Sequence, residues 1–382
     1  MVGIGAIGCG SRLSGIILDA LEISKEVKMV SLCDPREYSR ENAKKDFGKD
    51  LKLYDDYKEL VADPAIDWVF VGSWNCFHRD HVVAALENGK HVFCEKPLAL
   101  STEECIDIGA AMKKSRKKVF VGFVLRYSPH YHKIKEIIDS GRIGKIISFE
   151  FNQTLDPEHG GFIHGDWRRK REWGGTHMLE KCCHDLDLVN WLIDSVPARV
   201  ASFGGTNFFT PENERHIKRV GPDKEGRPAY MSWLGYNPDI VNPFTADKDV
   251  VDNQVAIIQY RNGIRASFHT NLHSTLPERR MYIIGSEGSL VSDVKKGTIL
   301  LKRNDPDAEE TDEATGSKGG HGGGDLTLVE SIVDCMLHDT EPITGFIDGL
   351  TSSVAAFAID EAMDTGAVVD VEKYWRKIEA AK

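Results

Sequence analysis

A chain of 382 residues is too long for one ordinary hydrophobic core, so two domains are the expectation. Apolar residues at 41% and charged residues at 28% are globular proportions, and a net charge of −11 disfavours nucleic-acid and anionic-membrane partners. No apolar run is long enough to span a bilayer, and Met1 leads almost directly into a strand, leaving no room for a signal peptide; eight scattered cysteines without CxxC or zinc spacing suit a reduced, cytoplasmic protein with no metal site.

Residues 1–125 alternate short apolar runs with helical patterns. Val2–Ile7, Val27–Cys33, Trp68–Gly72, His91–Cys94 and Lys118–Phe123 read as strands; Leu13–Leu21, Asp56–Val61, Asp80–Asn88 and Thr102–Lys114 read as helices. Apolar strands separated by helices predict a doubly wound parallel sheet covered on both faces. Gly8-Cys9-Gly10 joins the first strand to the first helix, where amides at a helix N-terminus can hold a pyrophosphate. Leu13 occupies the third glycine position of that fingerprint, a departure from the usual pattern. Asp34 ends the second strand; a carboxylate there accepts hydrogen bonds from a ribose diol and repels a 2′-phosphate. Arg36, two residues on, suits that phosphate, so NAD is expected and NADP stays possible. Lys96 follows the apolar run His91–Cys94, and Pro97 ends strand pairing there, which aims the lysine at the crevice where open α/β sheets bind ligands.

Residues 126–382 have a different texture. A helix from about Tyr131 to Ser140 precedes strand-like runs at Ile146–Phe151, Arg199–Phe203, Gln254–Tyr260, Ile264–Asn271, Arg280–Ile284, Ser289–Val294 and Thr298–Lys302. Asn262-Gly263 between two of them signals a hairpin. Thr206–Asp249 is polar, Pro-rich and aromatic and reads as a long loop. Asp305–Asp325 is acidic and then glycine-rich, and its first part is expected to be mobile. Helices at about Thr327–Leu337 and Gly349–Thr365 close the chain. The fold class is therefore α/β: an N-terminal Rossmann domain over 1–125, then a C-terminal α+β domain over 126–382 with a large, open, mostly antiparallel sheet.

A third constellation runs from Gly174 to Asp187. Read as one helix continuing through Leu192, it puts Glu180, His184 and Asp187 on a single face, where Glu180 can orient the imidazole of His184 for proton removal from an alcohol. Trp167 and Arg168 just before it suit stacking and hydroxyl recognition of a sugar, although Arg168 equally suits a carboxylate or phosphate. Cys182-Cys183 reads as helix packing.

Together these motifs resemble the Gfo/Idh/MocA family of nicotinamide-dependent oxidoreductases. Gly8-Cys9-Gly10-Ser11-Arg12 is similar to the family's opening turn, and Cys33-Asp34-Pro35 to the end of its second strand. Ser73-Trp74-Asn75-Cys76-Phe77-His78 resembles its threonine-proline-asparagine-x-x-histidine loop, with Trp74 in place of proline. Glu95-Lys96-Pro97 is the family's most recognisable tripeptide; Arg126-Tyr127-Ser128-Pro129, Gly141–Gly144, Gly174–Asp187 and His321–Asp325 follow in order.

The resemblance implies hydride transfer between nicotinamide and a hydroxyl-bearing carbon of a sugar, sugar derivative or cyclitol. Cofactor contacts would come from Gly8, Gly10, Ser11, Arg12, Asp34, Arg36, Ser73, Trp74, Asn75, His78, Glu95 and Lys96. Lys96 would polarise the reacting oxygen and His184 would be the acid/base, with Glu180 where the family commonly has aspartate. Substrate contacts would come from Lys96, Tyr127, Trp167, Arg168, His184 and Asp187, and the open sheet would pack a homodimer or homotetramer. Two other activities fit the same fold: redox-neutral glycoside cleavage with tightly bound NAD, and a non-catalytic nucleotide-binding sensor, which would be expected to lack Lys96 or His184.

Overall fold

The computed structural model describes residues 1–235, 237, 239–316 and 320–381. Six strands, β1 (Val2–Ile7), β2 (Val27–Cys33), β3 (Lys52–Tyr54), β4 (Trp68–Val71), β5 (His91–Cys94) and β6 (Val119–Val121), form an all-parallel sheet in the order β3-β2-β1-β4-β5-β6. Their connections carry α1 (Ser11–Ile23), α2 (Glu37–Phe47), α3 (Tyr57–Ala62), α4 (His78–Glu87) and α5 (Thr102–Ser115). Val69, Phe70, Val92, Phe93 and Phe120 have no solvent exposure, which is why these strands read as apolar runs rather than alternations. The strand order reverses between β1 and β4, so the ends of these two strands flank the crevice where such sheets bind ligands. The apolar pattern did not reveal α2, because only Ser39 and Ala43 of its side chains are buried.

The second sheet has nine strands. Between α6 (Pro129–Asp139) and its end the chain forms β7 (Ile146–Thr154), α7 (Pro157–Gly165), α8 (Arg171–Gly174), α9 (His177–Glu180), α10 (Cys183–Ile193), β8 (Pro197–Gly205), α11 (Arg215–Val220), β9 (Asn253–Tyr260), β10 (Arg265–Asn271), β11 (Arg280–Gly285), β12 (Gly288–Asp293), β13 (Thr298–Arg303) and β14 (Thr311–Asp312). With β15 (Val369–Asp370) the order is β14-β13-β12-β11-β7-β10-β9-β8-β15, and β7–β10 is its parallel pair. The Asn262-Gly263 signal is a β9–β10 hairpin, with Gly263 at φ +88 and its amide donating to Tyr260 at 3.0 Å. Side chains alternate strictly along β9: Ala256, Ile258 and Tyr260 are buried, Val255 and Ile257 exposed.

Two polar stretches are more ordered than their composition suggests. Within 206–249, Phe209, Ala229, Tyr230 and Phe244 pack with Leu155, Ile163, Val250 and Leu272 into a small core. In the acidic stretch, Thr311–Asp312 pairs with β13, and Glu313 accepts from Arg142 Nη2 at 2.6 Å, so this part is tied down rather than loose. Tyr236, Pro238 and residues 317–319 of these stretches lie outside the described residues.

The chain closes with α12 (Gly324–His338), α13 (Phe346–Thr365) and α14 (Glu372–Ala380). By contacts, residues 1–128, 323–353 and 377–382 make one compact unit, and 129–322 with 354–376 make another. The sequence reading gives everything after residue 125 to the second domain, whereas α12 packs on α1. Gly324 permits this return, because a Cβ there would meet the Val124 carbonyl oxygen at 2.5 Å and the Ser128 nitrogen at 3.1 Å. Among the described residues no helix is long and apolar enough to cross a membrane.

Candidate active site

In the first unit the opening turn is built from backbone. Gly8 sits at φ +73, and a Cβ on it would lie 2.7 Å from Ser73 Cα and Ser73 N, so only glycine fits. Gly10, the residue before α1, has nothing within 4 Å of the position its Cβ would take, and no side chain caps the helix. This leaves open space beside the first-turn amides of a 13-residue helix, the geometry that suits a pyrophosphate. Leu13 breaks the fingerprint because the close approach of helix and strand is granted from the other side: a Cβ on Gly72 would meet Leu13 Cδ2 at 2.9 Å.

Asp34 is buried at 8% exposure, and its two oxygens accept from the amides of Cys9 and Arg36, each at 2.8 Å. Arg36 lies 5.2 Å from the Trp74 ring and donates to the Tyr38 hydroxyl at 2.7 Å. Arg12, at the start of α1, donates to Glu95 Oε1 at 3.3 Å and to Asp325 Oδ1 at 2.5 Å. Asp325 ends the His321–Asp325 motif, but sequence reasoning did not foresee its bond to Arg12.

The loop after β4 is held by two histidines. His78 is fully buried; its Nδ1 lies 2.8 Å from the Pro97 carbonyl and its Nε2 3.2 Å from the Ser73 carbonyl. Burial pushes its pKa down, against the pull of those carbonyls. His78 therefore fixes the Ser73 and Lys96-Pro97 turns rather than presenting a face to a ligand. His81 lies 2.9 Å from Ser73 Oγ and is pushed down to about 4, first by burial and then by His78. Asn75 is buried in the same loop, and Lys96 is half-buried at the carboxyl end of β5. Tyr127, expected to contact substrate, is 1% exposed and stacked on Phe120, with its hydroxyl 3.0 Å from Thr344 Oγ1.

The second unit gathers the other predicted residues. The single helix expected from 174 to 192 is interrupted: α9 ends at Glu180 and α10 begins at Cys183. The cause is a widened turn in which the Cys182 amide reaches back to the His177 carbonyl at 3.4 Å. Glu180 and His184 thus stand on two short helices, at 7% and 5% exposure. Asp185, beside His184, is clamped by Arg279 through two 2.7 Å bonds, and Gln153, with its amide nitrogen turned to Asp185 Oδ2 at 2.9 Å, completes the clamp. This ties the start of α10 to the sheet. Asp187 is buried one turn on, and Cys182 and Cys183 are buried free thiols. His321 lies 6.4 Å from His184, ring to ring.

Arg168 organises the rest. Its Nε donates to Glu180 Oε1 at 3.0 Å and its Nη1 to Asp166 Oδ1 at 2.9 Å, while its guanidinium lies 4.2 Å from the Trp167 ring and 5.0 Å from Phe162. Asp166, Phe162, His159, Trp233 and Asn237 surround this group and were missed from sequence. Asp156-Pro157 was the available signal: an aspartate cap with proline in the first turn marks the start of α7, which presents His159 and Phe162.

Comparison with known proteins agrees with the fold. The model of the oxidoreductase family with an NAD-binding Rossmann fold matches residues 1–123, and that of the family's C-terminal alpha/beta domain matches 135–371. Inositol 2-dehydrogenase/D-chiro-inositol 3-dehydrogenase of Lactiplantibacillus plantarum is 31% identical over 57% of this chain and 58% of its own length. The 1,5-anhydro-D-fructose reductase of Ensifer adhaerens is 26% identical over 82% of this chain and 83% of its own. Levoglucosan dehydrogenase, solved with NADH and levoglucosan, shares the fold at TM-score 0.79 and 20% identity, over 97% of this chain and 99% of that one. The chain belongs to the Gfo/Idh/MocA family of oxidoreductases, and its first unit carries the NAD-binding Rossmann fold.

Proposed function

We propose that the protein moves a hydride between NAD and a hydroxyl-bearing carbon of a sugar, sugar derivative or cyclitol. The observation that carries this reading is that Lys96, at the carboxyl end of β5, and His184, in the first turn of α10, are both retained on a chain matched across both family domains. A sensor would be expected to lack one of them. The relatives named for inositol, anhydrofructose and levoglucosan support the substrate class.

The residues present fit the cofactor. Gly10 leaves the space a ligand would need beside the amides of α1, and the Asp34 carboxylate, fixed by two backbone N–H groups, favours a ribose diol over a 2′-phosphate. NAD supplies the hydride acceptor when bound. Glu95 and Asp325 hold Arg12 at the mouth of the turn, and Arg36 with Trp74 flanks the strand end. His184 takes the hydroxyl proton as general base, and Lys96 stabilises the negative charge that develops on that oxygen. Glu180 acts with Arg168 to hold the entrance to α10 in place.

All eight cysteines are free, which supports a cytoplasmic setting. Ile147, Phe203, Val255 and Ile257 are exposed on the nine-stranded sheet, an apolar surface that supports a homodimer or homotetramer.

The deciding experiment follows nicotinamide absorbance in purified protein given NAD, then NADP, against monosaccharides, sugar acids and inositols. Reduction of NAD by a ring polyol is the expected result, with turnover lost in His184→Ala while NAD binding persists. Silence across the panel, with nucleotide released on denaturation, would replace this reading with redox-neutral glycoside cleavage.

A further inference from the structure

Residues 206–249 are fastened onto α7 at several points. Glu158 accepts from the amides of Tyr230 at 2.7 Å and Ser232 at 3.1 Å, and Asn237 Nδ2 donates to Asp166 Oδ2 at 2.5 Å. Gly161 makes room for the loop, since a Cβ there would run into the Tyr230 carbonyl oxygen. Trp233 lies between these ties. Its ring stacks on Phe162 at 4.7 Å and 28°, and meets the His159 ring at 5.6 Å and 61°. Phe162 in turn faces the guanidinium of Arg168, whose Nε is bonded to Glu180. All three aromatic rings are only half-buried. A fixed aromatic wall therefore leads, inside the second unit, to the carboxylate before the acid/base helix.

The charge around this wall is balanced among the described residues. Asp166, Glu180 and Glu158 carry three negative charges; Arg168, which bridges the first two, Lys181, the residue after Glu180, and Arg169, whose Nη1 donates to the Asp166 carbonyl at 2.9 Å, carry three positive ones. Burial, and after it the charge of Lys181, pushes His159 well below the ordinary imidazole range, so it stands as a neutral donor and acceptor. An anionic substrate would find no surplus cation here. A ring with a C–H face and a rim of hydroxyls finds both of its requirements: flat apolar area, and neutral or fully paired polar groups at its edge.

We propose that Phe162, Trp233 and His159 form the surface on which an uncharged sugar or cyclitol ring stacks, so that the enzyme selects neutral rings over sugar acids and sugar phosphates. This rests on the dehydrogenase reading above and specifies the substrates within it.

The test uses the purified enzyme with NAD and matched probes: D-glucose, D-glucuronate, D-glucose 6-phosphate and myo-inositol. A neutral probe should show kcat/KM at least about tenfold above its charged counterpart. Trp233→Ala should raise KM by about tenfold with a much smaller change in kcat, while Trp233→Phe, which keeps a ring on Phe162, should stay close to the parent. Circular dichroism of both variants checks that the loop change has not unfolded the domain. Turnover of the uronate or the phosphate equal to that of the neutral sugars would overturn the wall and leave the dehydrogenase reading standing. If no probe turns over, the dehydrogenase reading loses its support, and the wall is tested separately by tryptophan fluorescence. Quenching by the neutral probes that disappears in Trp233→Phe supports it, and identical responses of parent and variant overturn it.

Discussion

The opening turn of the first unit and the Arg168 cluster of the second are both built around buried carboxylates, but they hold them by opposite means. Asp34 is fixed by backbone amides of Cys9 and Arg36, and the space beside it exists because Gly8 and Gly10 lack side chains. Glu180 and Asp185 are fixed by guanidinium groups that arrive from elsewhere, Arg168 for the first and Arg279 for the second. A backbone-built site tolerates changes of side chain and fails when a Cβ intrudes. A charge-built site has the reverse sensitivity, because removing one partner strands the other away from water.

The largest effect should therefore come from breaking a charge clamp. Arg279→Met keeps apolar bulk but leaves Asp185, 1% exposed, facing Gln153 alone. Loss of one partner of a buried pair costs about 3–5 kcal/mol, so urea unfolding should show a drop of that size. Because Asp185 ties α10 to the sheet beside His184, turnover should fall as well. A loss below about 1 kcal/mol would mean the clamp is already well hydrated and that the contrast between the two regions is overstated.

A smaller effect separates the two glycines of the turn. Gly8→Ala puts a Cβ against Ser73 backbone at positive φ, and roughly 3 kcal/mol of destabilisation is expected from strain and overlap together. Gly10→Ala meets nothing within 4 Å and keeps φ at −70, so stability should change by less than about 0.5 kcal/mol. NAD affinity should nevertheless fall in Gly10→Ala, because the new methyl occupies the space proposed for the ligand. Isothermal titration of both variants reads the difference. Unchanged affinity in Gly10→Ala would mean that the nucleotide lies elsewhere along the strand ends.

The same contrast explains what sequence could reveal. The placement of Gly8, Gly10, Asp34 and Lys96 was legible because it depends on neighbours within a few residues and on the ends of apolar strands. Trp233 was not, since its position depends on Glu158 and Asp166, some 70 residues away in the chain, and nothing local marks it. Glu180 and His184 were identified by spacing, but the break between α9 and α10 was hidden: Lys181 and Cys182 carry no helix-stopping signal, and the widened turn is a product of packing around His177. The surroundings of Tyr127 were hidden for the converse reason, as its motif gave no hint that Thr344 would bury its hydroxyl.

The last expected effect concerns a carboxylate that is held by neutral groups rather than by amides or a guanidinium. Asp360 on α13 accepts from Thr176 Oγ1 and, at 3.3 Å, from Gln254 Nε2; Thr176 also caps α9, taking the Leu179 amide at 3.1 Å. Burial raises Asp360 to about 7, against the pull of Thr176, Gln254 and Arg171 and with reinforcement from Asp364. The folded state thus keeps a proton that the unfolded chain releases near the ordinary aspartate value. Its contribution is fully present below that value and is lost as pH rises through the folded pKa. Asp360→Asn removes the titration while preserving the contacts: its oxygen can still accept from Thr176, and its amide can donate to Gln254 Oε1, which has no other partner among the described residues. The unfolding midpoint of the parent should therefore decline relative to the variant between about pH 4 and about pH 7, with the variant the more stable at the upper end. Parallel pH profiles would show that Asp360 is ionised throughout and that α9 is anchored by a charge after all, which would place it with Asp185 rather than apart from it.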